Sequence, residues 1–268
     1  MPSIEKIHAI LELLRENSRQ GLTNKEISRA LKLPPSTCYR ILAALKRHDY
    51  VYQRKPDLRY FLGFAHLRFA ESVLEGTDEA AVCLPYLEEL HRRTEETTFF
   101  ARFNGTICIA MVMCGHINTR ISVGRGEIMP LYCSAVGKAV LAFLPEKTRR
   151  ELLESLEPVP HTAYTIVDKE RLAAELVSVN TDGVGYCLQE FHNGINALGT
   201  PVFDRMDRVV GALGLVGTSV DLDNEQLAEY AQLFLEASSD VTAALGGRFP
   251  ERLLVRPREG VALKEDKT

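Results

Sequence analysis

The chain has 268 residues, too many for one small hydrophobic core, and this length predicts two domains. Hydrophobic residues make up 46% and charged residues 25%, as in globular proteins, and no apolar run reaches the roughly 18 residues of a membrane helix. The first residues, MPSIEKIHAILELL, place acids among apolar residues, which differs from a signal peptide. We therefore expect a cytoplasmic protein that does not associate with membranes.

Charge is distributed unevenly along the chain. Residues 1–68 contain 13 Lys and Arg against 6 Asp and Glu, whereas the remainder contains 19 against 30. A basic head on an acidic body predicts that the head binds a polyanion.

Three helices are predicted in the basic head. Apolar residues recur at helical spacing over residues 3–16, which predicts an amphipathic helix. A short second helix is predicted after Thr23, because Thr23 can cap it and Glu26 stands three residues later, as in a capping box. Pro35 forces Pro34 into an extended conformation and itself suits the first helical position, so a third helix is predicted to begin at Pro35.

The second and third helices are joined by a tight turn, which predicts a helix-turn-helix. In this motif the N-terminal end of the second helix of the pair enters the major groove of DNA. That end carries hydroxyl groups that can bond phosphates or base edges, and Arg40 can donate two hydrogen bonds to guanine. For any one of these residues, a solvated helix face with a Ser or Thr cap is the alternative interpretation. The predicted DNA-binding residues of this helix are Ser36, Thr37, Tyr39 and Arg40.

A β-hairpin with a basic tip is predicted directly after the third helix. Residues 51–53 and 59–62 alternate as strands do, on either side of the segment RKPDL. A hairpin in this place is a wing, and its tip would lie on the DNA backbone or in the minor groove. An exposed turn that happens to be basic is the alternative. The cationic residues of the predicted wing are Arg54, Lys55 and Arg59.

The acidic body mixes strands and helices, which predicts an α+β fold. Segments 97–103 and 106–113 are rich in β-forming residues and flank Asn104-Gly105, a strong hairpin signal, and 120–123 is a candidate short strand. The other predicted elements are helices near 62–76, 78–94, 134–144, 145–156 and 168–180, strands near 185–191, 196–203 and 208–217, and a last helix that ends near 245.

The predicted organisation is a DNA-binding head over 1–63, a linking helical region over 64–81, a sensor-like body over 82–247 and a charged, flexible tail over 248–268. The six cysteines include no Cys-x-x-Cys pair, and most have apolar neighbours. They are predicted to be small buried residues that stay reduced.

Signals for catalysis, cofactors and metals are weak. Gly137-Lys138 invites comparison with a P-loop, but Tyr132 stands where a glycine is needed and Ala139 where Ser or Thr is needed. Glu190 could serve in acid–base chemistry, but no nucleophile is paired with it in the sequence. The segment Cys114–His116 lacks a third and a fourth metal ligand at a suggestive spacing. We therefore predict no enzyme, no cofactor and no metal site.

With both halves considered, the chain resembles the IclR family of bacterial transcription regulators over nearly its whole length. The head matches the family through LPxSTxYRIL at 33–42 and YxLG at 60–63. The body matches through PLYCSAVGKAVLA at 130–142, through GY, E and G within 185–194, and through PVFD at 201–204. Each motif alone has moderate specificity, whereas their order and spacing together are specific.

The resemblance implies a winged helix-turn-helix followed by a GAF-like domain that binds a small organic effector. It also implies homodimers, often paired into tetramers, that bind a palindromic operator of double-stranded DNA, commonly beside a catabolic operon. Lys32 stands where the family usually has glycine, and Pro35 replaces a common lysine. We expect Lys32 to supply a phosphate contact instead.

In the family, the effector pocket lies between the sheet and the loop that enters the helix of the SAVGK segment. Some members that bind small polar acids have Asp, Cys and Ser where this chain has less polar residues. The hypothesis is therefore an acid effector with an aromatic or bulky apolar part; the alternative is that these positions are plain core. The lining carried over from the family is Asn118, Ile121, Ala135, Val136, Cys187, Ala197, Gly214 and Val216.

Two further interpretations remain open at this point. One is a ligand-independent repressor whose C-terminal domain only oligomerises. The other is an enzyme or storage protein whose head only dimerises, although no nucleophile or metal set supports it.

Overall fold

The computed structural model describes residues 3–69, 78–113 and 124–254. The chain divides into two compact units, residues 1–77 and 78–268. Among the helices in the described ranges, none combines the length and the apolar character needed to cross a membrane.

The first unit is a three-helix cluster followed by a two-stranded antiparallel hairpin, so the predicted winged helix-turn-helix is confirmed. Its core forms where α1, α2 and α3 meet, around the fully buried side chains of Ile10, Ile27 and Leu42. Its elements are α1 (Ser3–Glu16), α2 (Asn24–Ala30), α3 (Pro35–Arg47), β1 (Val51–Gln53) and β2 (Tyr60–Leu62).

Both helix starts in the helix-turn-helix form as their local sequence predicts. The Thr23 hydroxyl accepts a hydrogen bond from the Glu26 N–H, and the Glu26 carboxylate accepts one from the Thr23 N–H at 2.7 Å, which completes the capping box. Pro34 is extended, with φ −56° and ψ 137°, and Pro35 occupies the first turn of α3. Lys32 has φ 52°, so the turn between the helices uses the left-handed region where the family usually has glycine.

The second unit is built on one six-stranded sheet in which every pairing is antiparallel. The order is β5-β4-β3-β8-β7-β6, so β3 pairs with β8, the last strand within the described residues. Its elements are α4 (Asp78–Thr94), β3 (Thr97–Phe103), β4 (Ile107–Met113), β5 (Ile128–Met129), α5 (Ala135–Phe143), α6 (Glu146–Ser155), α7 (Lys169–Asp182), β6 (Gly185–Leu188), β7 (Ile195–Phe203), β8 (Val209–Thr218) and α8 (Asn224–Ala244).

Helices cover both faces of this sheet, and the sheet separates two hydrophobic cores. On one face α4 and α8 pack against strand residues that include Phe100 and Leu213. On the other face α5 and α7 pack around Phe99 and Val216. Because side chains alternate along a strand, neighbouring residues of β3 contribute to opposite cores. The predicted α+β, GAF-like body is confirmed.

Some details differ from the expectations. The strand predicted over 185–191 ends at Leu188, because Gln189 has φ 58° and turns the chain out of the sheet. The expected loose tail does not start at 248: residues 251–253 form a 3-10 helix that buries Leu253 in the second unit. The candidate strand 120–123 lies outside the described residues.

The capping box gives a test of the local folding of the head. We expect Thr23→Ala to weaken α2 by about 1 kcal/mol, because the start of the helix loses its side-chain acceptor. Hydrogen exchange of the α2 amides should then be roughly fivefold faster. Ser18→Ala, which removes an exposed hydroxyl of the preceding turn, is the control and should leave these rates unchanged. Equal rates in both variants would show that the box does not stabilise α2.

Candidate DNA-binding surface and effector site

The packing of α3 decides which of its side chains reach solvent. Cys38, Leu42 and Leu45 are buried in the core of the first unit, so they fix the rotation of the helix about its axis. The opposite side is then exposed, with the Tyr39 side chain 60% accessible and Arg40 likewise turned outward. Of the other expected contact residues, Lys32 and Ser36 are exposed and Thr37 is half-buried.

The tip of the hairpin presents Arg54 and Lys55 to solvent. The Arg54 guanidinium lies 4.8 Å from the centre of the Phe61 ring and donates two hydrogen bonds to the Asp57 carboxylate. This guanidinium holds the pKa of Asp57 below its usual range, because it stabilises the ionised carboxylate. Arg54 is therefore oriented by its own hairpin while it stays exposed.

Arg59 behaves differently from the other expected wing residues. Its guanidinium donates to the Gly21 carbonyl at 2.8 Å and to the Glu26 carboxylate at 3.1 Å. These bonds fasten β2 to the start of α2, within the first unit. Arg59 is predicted to be a DNA-binding cation of the wing, but these bonds give it a structural role within the first unit. The alternating pattern of the strand does not indicate such a role.

The second unit brings together all the expected effector-lining residues that fall within its described part. Cys187 of β6 is directly opposite Ala197 of β7, which is in turn opposite Val216 of β8. Ala135 and Val136, the first residues of α5, join the same buried cluster. Asn118 and Ile121 lie outside the described residues.

Two strand glycines allow close contacts on this face of the sheet, and one of them, Gly199, lies against the start of α5. A Cβ at Gly199 would come within 2.8 Å of the Val136 nitrogen and of the Ala135 carbonyl carbon, so only glycine permits this approach. At Gly214, the Phe99 ring from the paired strand occupies the space that a side chain would need. Phe99 therefore covers this expected lining position, and only the pairing of β3 with β8 reveals it.

A buried ion pair stands beside this cluster. Lys138 of α5 is completely buried, and its ammonium donates to Glu190 Oε1 at 2.5 Å, to the Tyr186 carbonyl at 2.9 Å and to Glu175 Oε1 at 3.3 Å. Burial opposes the charge, but Glu190 and Glu175 outweigh it and raise the pKa of Lys138. The lysine of the Gly137-Lys138 pair thus places a positive charge in the core of the second unit. The pair is not part of a P-loop.

The cysteines near the ion pair are neutral thiols at physiological pH. Burial raises the pKa of the Cys187 thiol to about 11 and that of Cys133 to about 12. A thiol that does not ionise is a poor nucleophile. In the described part of the chain, no three or more His, Cys, Asp or Glu side chains converge as metal ligands would.

The loop between α6 and α7 is tied over the segment that carries Glu190. The Thr162 hydroxyl donates to the Gln189 carbonyl at 2.8 Å, and the Thr165 hydroxyl donates to the Glu190 carbonyl at 2.6 Å. Ile166 from the same loop is buried in the cluster of the effector-lining residues. This strap (residues 156–168) is therefore fastened to the backbone of the segment that carries Glu190.

Comparison with known proteins agrees with both units. The family model for the IclR helix-turn-helix domain matches residues 3–55, and that for the bacterial transcriptional regulator IclR C-terminal domain matches residues 71–243. The chain belongs to the IclR family of bacterial transcriptional regulators. The first unit therefore contains the helix-turn-helix domain of an IclR-type regulator, and the second unit is its C-terminal domain.

Individual relatives cover nearly the same span. The HTH-type transcriptional regulators XynR and KdgR of Escherichia coli K12 are 27% and 28% identical over 91% of this chain and over 97% and 92% of their own lengths. The crystal structure of an IclR regulator from Alicyclobacillus acidocaldarius superposes with a TM-score of 0.77 at 26% identity, covering 92% of this chain and 99% of that one. The Thermotoga maritima IclR structure gives 0.74 at 25%, covering 91% and 98%.

The buried ion pair allows a stability test. We expect Lys138→Met to lower the free energy of unfolding of the second unit by about 3–5 kcal/mol, because Glu190 is left buried without its cation. Chemical denaturation followed by circular dichroism measures this change.

Two variants show whether the effect comes from the uncompensated charge. The double variant Lys138→Met, Glu190→Leu should recover much of the loss, since no charge of the close pair then remains buried. Lys147→Met removes a side chain that is 89% exposed and pairs only loosely with Glu151, and it should change stability by less than about 0.5 kcal/mol. If Lys138→Met lowers the free energy of unfolding no more than Lys147→Met does, Lys138 does not compensate the buried charge of Glu190.

Proposed function

We propose that the protein is a transcriptional repressor that binds a palindromic operator through two copies of α3 and responds to a small organic acid. The observation that carries the proposal is the outward face of α3, which exposes Arg40 and neighbouring hydroxyls in the N-terminal half of the second helix of a helix-turn-helix. Repression is inferred because one relative, AllR of Escherichia coli K12, is named a transcriptional repressor and is 27% identical over 91% of this chain.

In this proposal the contacts divide into two kinds. Ser36, Tyr39 and Arg40 reach base edges and adjacent phosphates, and Arg40 gives the greatest discrimination because it can bond guanine twice. Lys32, Arg54 and Lys55 contact the backbone, so affinity falls steeply with salt as counterions are released. Thr37 is half-buried and contributes only from the edge of the surface, whereas Arg59 stabilises the wing from within.

The effector would bind between the start of α5 and strands β6 to β8. The lining there is apolar, which favours an acid with an aromatic or bulky apolar part. Effector binding then shifts the equilibrium between dimer arrangements that space the two α3 helices differently. The size of this shift is limited by the difference in effector affinity between the arrangements. The regulated genes are proposed to form a catabolic operon.

One observation favours the alternative of a ligand-independent repressor. The described lining residues are buried to the degree of ordinary core, from 1% exposure at Val136 to 9% at Ala197. Operator binding in the presence of candidate acids separates the two functions: release by an acid supports the sensor, and unchanged binding across the panel supports the ligand-independent form.

The operator interface has a direct test in two arginines of one helix. We expect Arg40→Ala to lose about 1–3 kcal/mol of operator affinity and to relax the choice of base at one position in each half-site. The operator is first selected from random duplexes with the unchanged protein, and affinities are measured by fluorescence anisotropy at several salt concentrations.

Arg47→Ala is the matched control, because Arg47 is exposed at the opposite end of α3, about 10 Å along the helix axis. It should weaken binding to all sequences by a similar factor, if at all, and leave the selected sequence unchanged. Unaltered operator affinity in Arg40→Ala would refute the assigned interface. Circular dichroism confirms that both variants keep their helices, since both side chains face solvent.

Homodimer formation is proposed to involve the segment after the wing. Phe64, Leu67 and Phe69 are 75%, 63% and 55% exposed, so this short segment presents three large apolar side chains to solvent. We expect Leu67→Glu to shift the protein toward monomers in analytical ultracentrifugation, because it places a charge in this surface. Val220→Glu changes an isolated residue that is 84% exposed and serves as the control. Identical sedimentation of the Leu67 variant and the unchanged protein would exclude this surface.

A further inference from the structure

We propose that Glu190 is part of the effector site and recognises a hydrogen-bond donor on the ligand, so that the effector is an organic acid with an apolar body and a hydroxyl or amino group. The inference rests on the proposed sensor function and specifies the ligand class for that same site. Four observations carry it: the unpartnered oxygen of Glu190, the saturated donors of Lys138, the position of the carboxylate beside the lining, and the chemistry of the start of α5.

The Glu190 side chain has one partnered and one unpartnered oxygen. The residue is only 5% exposed, and its Oε1 atom accepts a hydrogen bond from Lys138. Its Oε2 atom is fully buried and has no hydrogen-bond partner among the described residues. Leaving a buried acceptor unbonded costs free energy, and more when the group is charged. A ligand that donates to Oε2 recovers that energy.

Lys138 has no N–H group left to donate to Oε2 of Glu190. An ammonium group has three N–H donors, and those of Lys138 are directed to Glu190 Oε1, the Tyr186 carbonyl and Glu175 Oε1. Lys138 therefore fixes the Glu190 carboxylate through one oxygen and leaves the other available. This is a preorganised acceptor of the kind that polar ligands need inside an apolar site.

The carboxylate borders the lining expected for the effector. The Lys138 ammonium of α5 donates both to Glu190 Oε1 and to the carbonyl of Tyr186, the residue before Cys187. Burial first, and the Glu190 charge second, raise the pKa of the Cys187 thiol. Cys187 is paired with Ala197 across the sheet, and Cys133 directly precedes the cap of α5. Glu190 thus lies on the side of the sheet where α5 begins.

The start of α5 supplies the complementary chemistry. The first N–H groups of a helix have no acceptor within it, and here the third, at Gly137, donates to the Ser134 hydroxyl. The N–H groups at the first two positions, Ala135 and Val136, are of the kind that can donate to an anion, an interaction that the helix dipole favours. Ala197 and Val216 belong to the same buried apolar cluster as Ala135 and Val136. A ligand with an acid group for the start of α5, an apolar body, and a hydrogen-bond donor for Glu190 matches these three features.

The test uses matched acids that differ only in the donor group. Benzoate and phenylacetate are compared with their 2-, 3- and 4-hydroxy and amino derivatives, with the full-length protein and Glu190→Gln. Thermal unfolding finds binders and calorimetry measures their Kd. We expect at least one substituted acid to bind about tenfold or more tightly than its parent, and Glu190→Gln to abolish that advantage, because the amide presents N–H groups where Oε2 was.

Glu175→Gln is the matched control, because it changes the other carboxylate on Lys138 but leaves Oε2 of Glu190 as it is. It should preserve the preference for the substituted acid. If Glu190→Gln does not fold, Glu190→Asp provides the second variant. The ratio of the Kd of each parent acid to that of its substituted derivative, measured on the unchanged protein, then still tests whether the site recognises a donor group.

The outcomes separate this inference from the proposed function. Parent and substituted acids that bind equally well, or a preference that Glu190→Gln retains, overturn the role of Glu190 and leave an effector-binding regulator in place. If none of the acids binds, both the ligand class and the sensor half of the proposed function fail, while operator binding by α3 is judged independently by Arg40→Ala. A difference in Kd between the hydroxy-substituted and the amino-substituted acids, if Glu190→Gln removes it, also supports the role of Glu190 and shows which donor it prefers.

Discussion

The ammonium group of Lys138 is completely buried, and its acceptors tie together α5, α7 and the segment around β6. A buried charge of this kind is tolerated only when all its donors are used and a carboxylate lies close. This constraint sets the position of α5 along its axis, and with it the position of the helix start against Gly199 of β7. The expected effector lining depends on that placement.

In the first unit the equivalent constraint is conformational. Pro34 and Pro35 start α3, and its buried residues fix which side faces outward. A rigid, fully packed helix presents its outer side chains with little loss of entropy on binding, which suits recognition of a defined DNA surface. The Arg59 bridge to Glu26 and Gly21 then secures the hairpin to the same frame, so the wing and the recognition helix are positioned by one small core.

The two units differ in how much of their site the sequence predicts. In the head, Thr23, Glu26 and the two prolines act on neighbours within a few residues, and the outer face of α3 follows from helical spacing. In the body, Cys187, Ala197 and Val216 come from three strands, and their side-by-side placement was implied only by the family resemblance. Phe99 covering Gly214, and Lys138 meeting Glu190 across 52 positions, leave no periodic signal in one sequence.

The sequence by itself determined the order and kind of most elements, the helix caps, the basic character of the head and the membership of a regulator family. Those features arise from local interactions, charge composition and short motifs. Only the tertiary structure decided that β3 pairs with β8, that Arg59 bonds within its own unit, and that one buried oxygen of Glu190 has no hydrogen-bond partner among the described residues. These depend on contacts between distant segments, where packing and desolvation rather than local preference choose the partner.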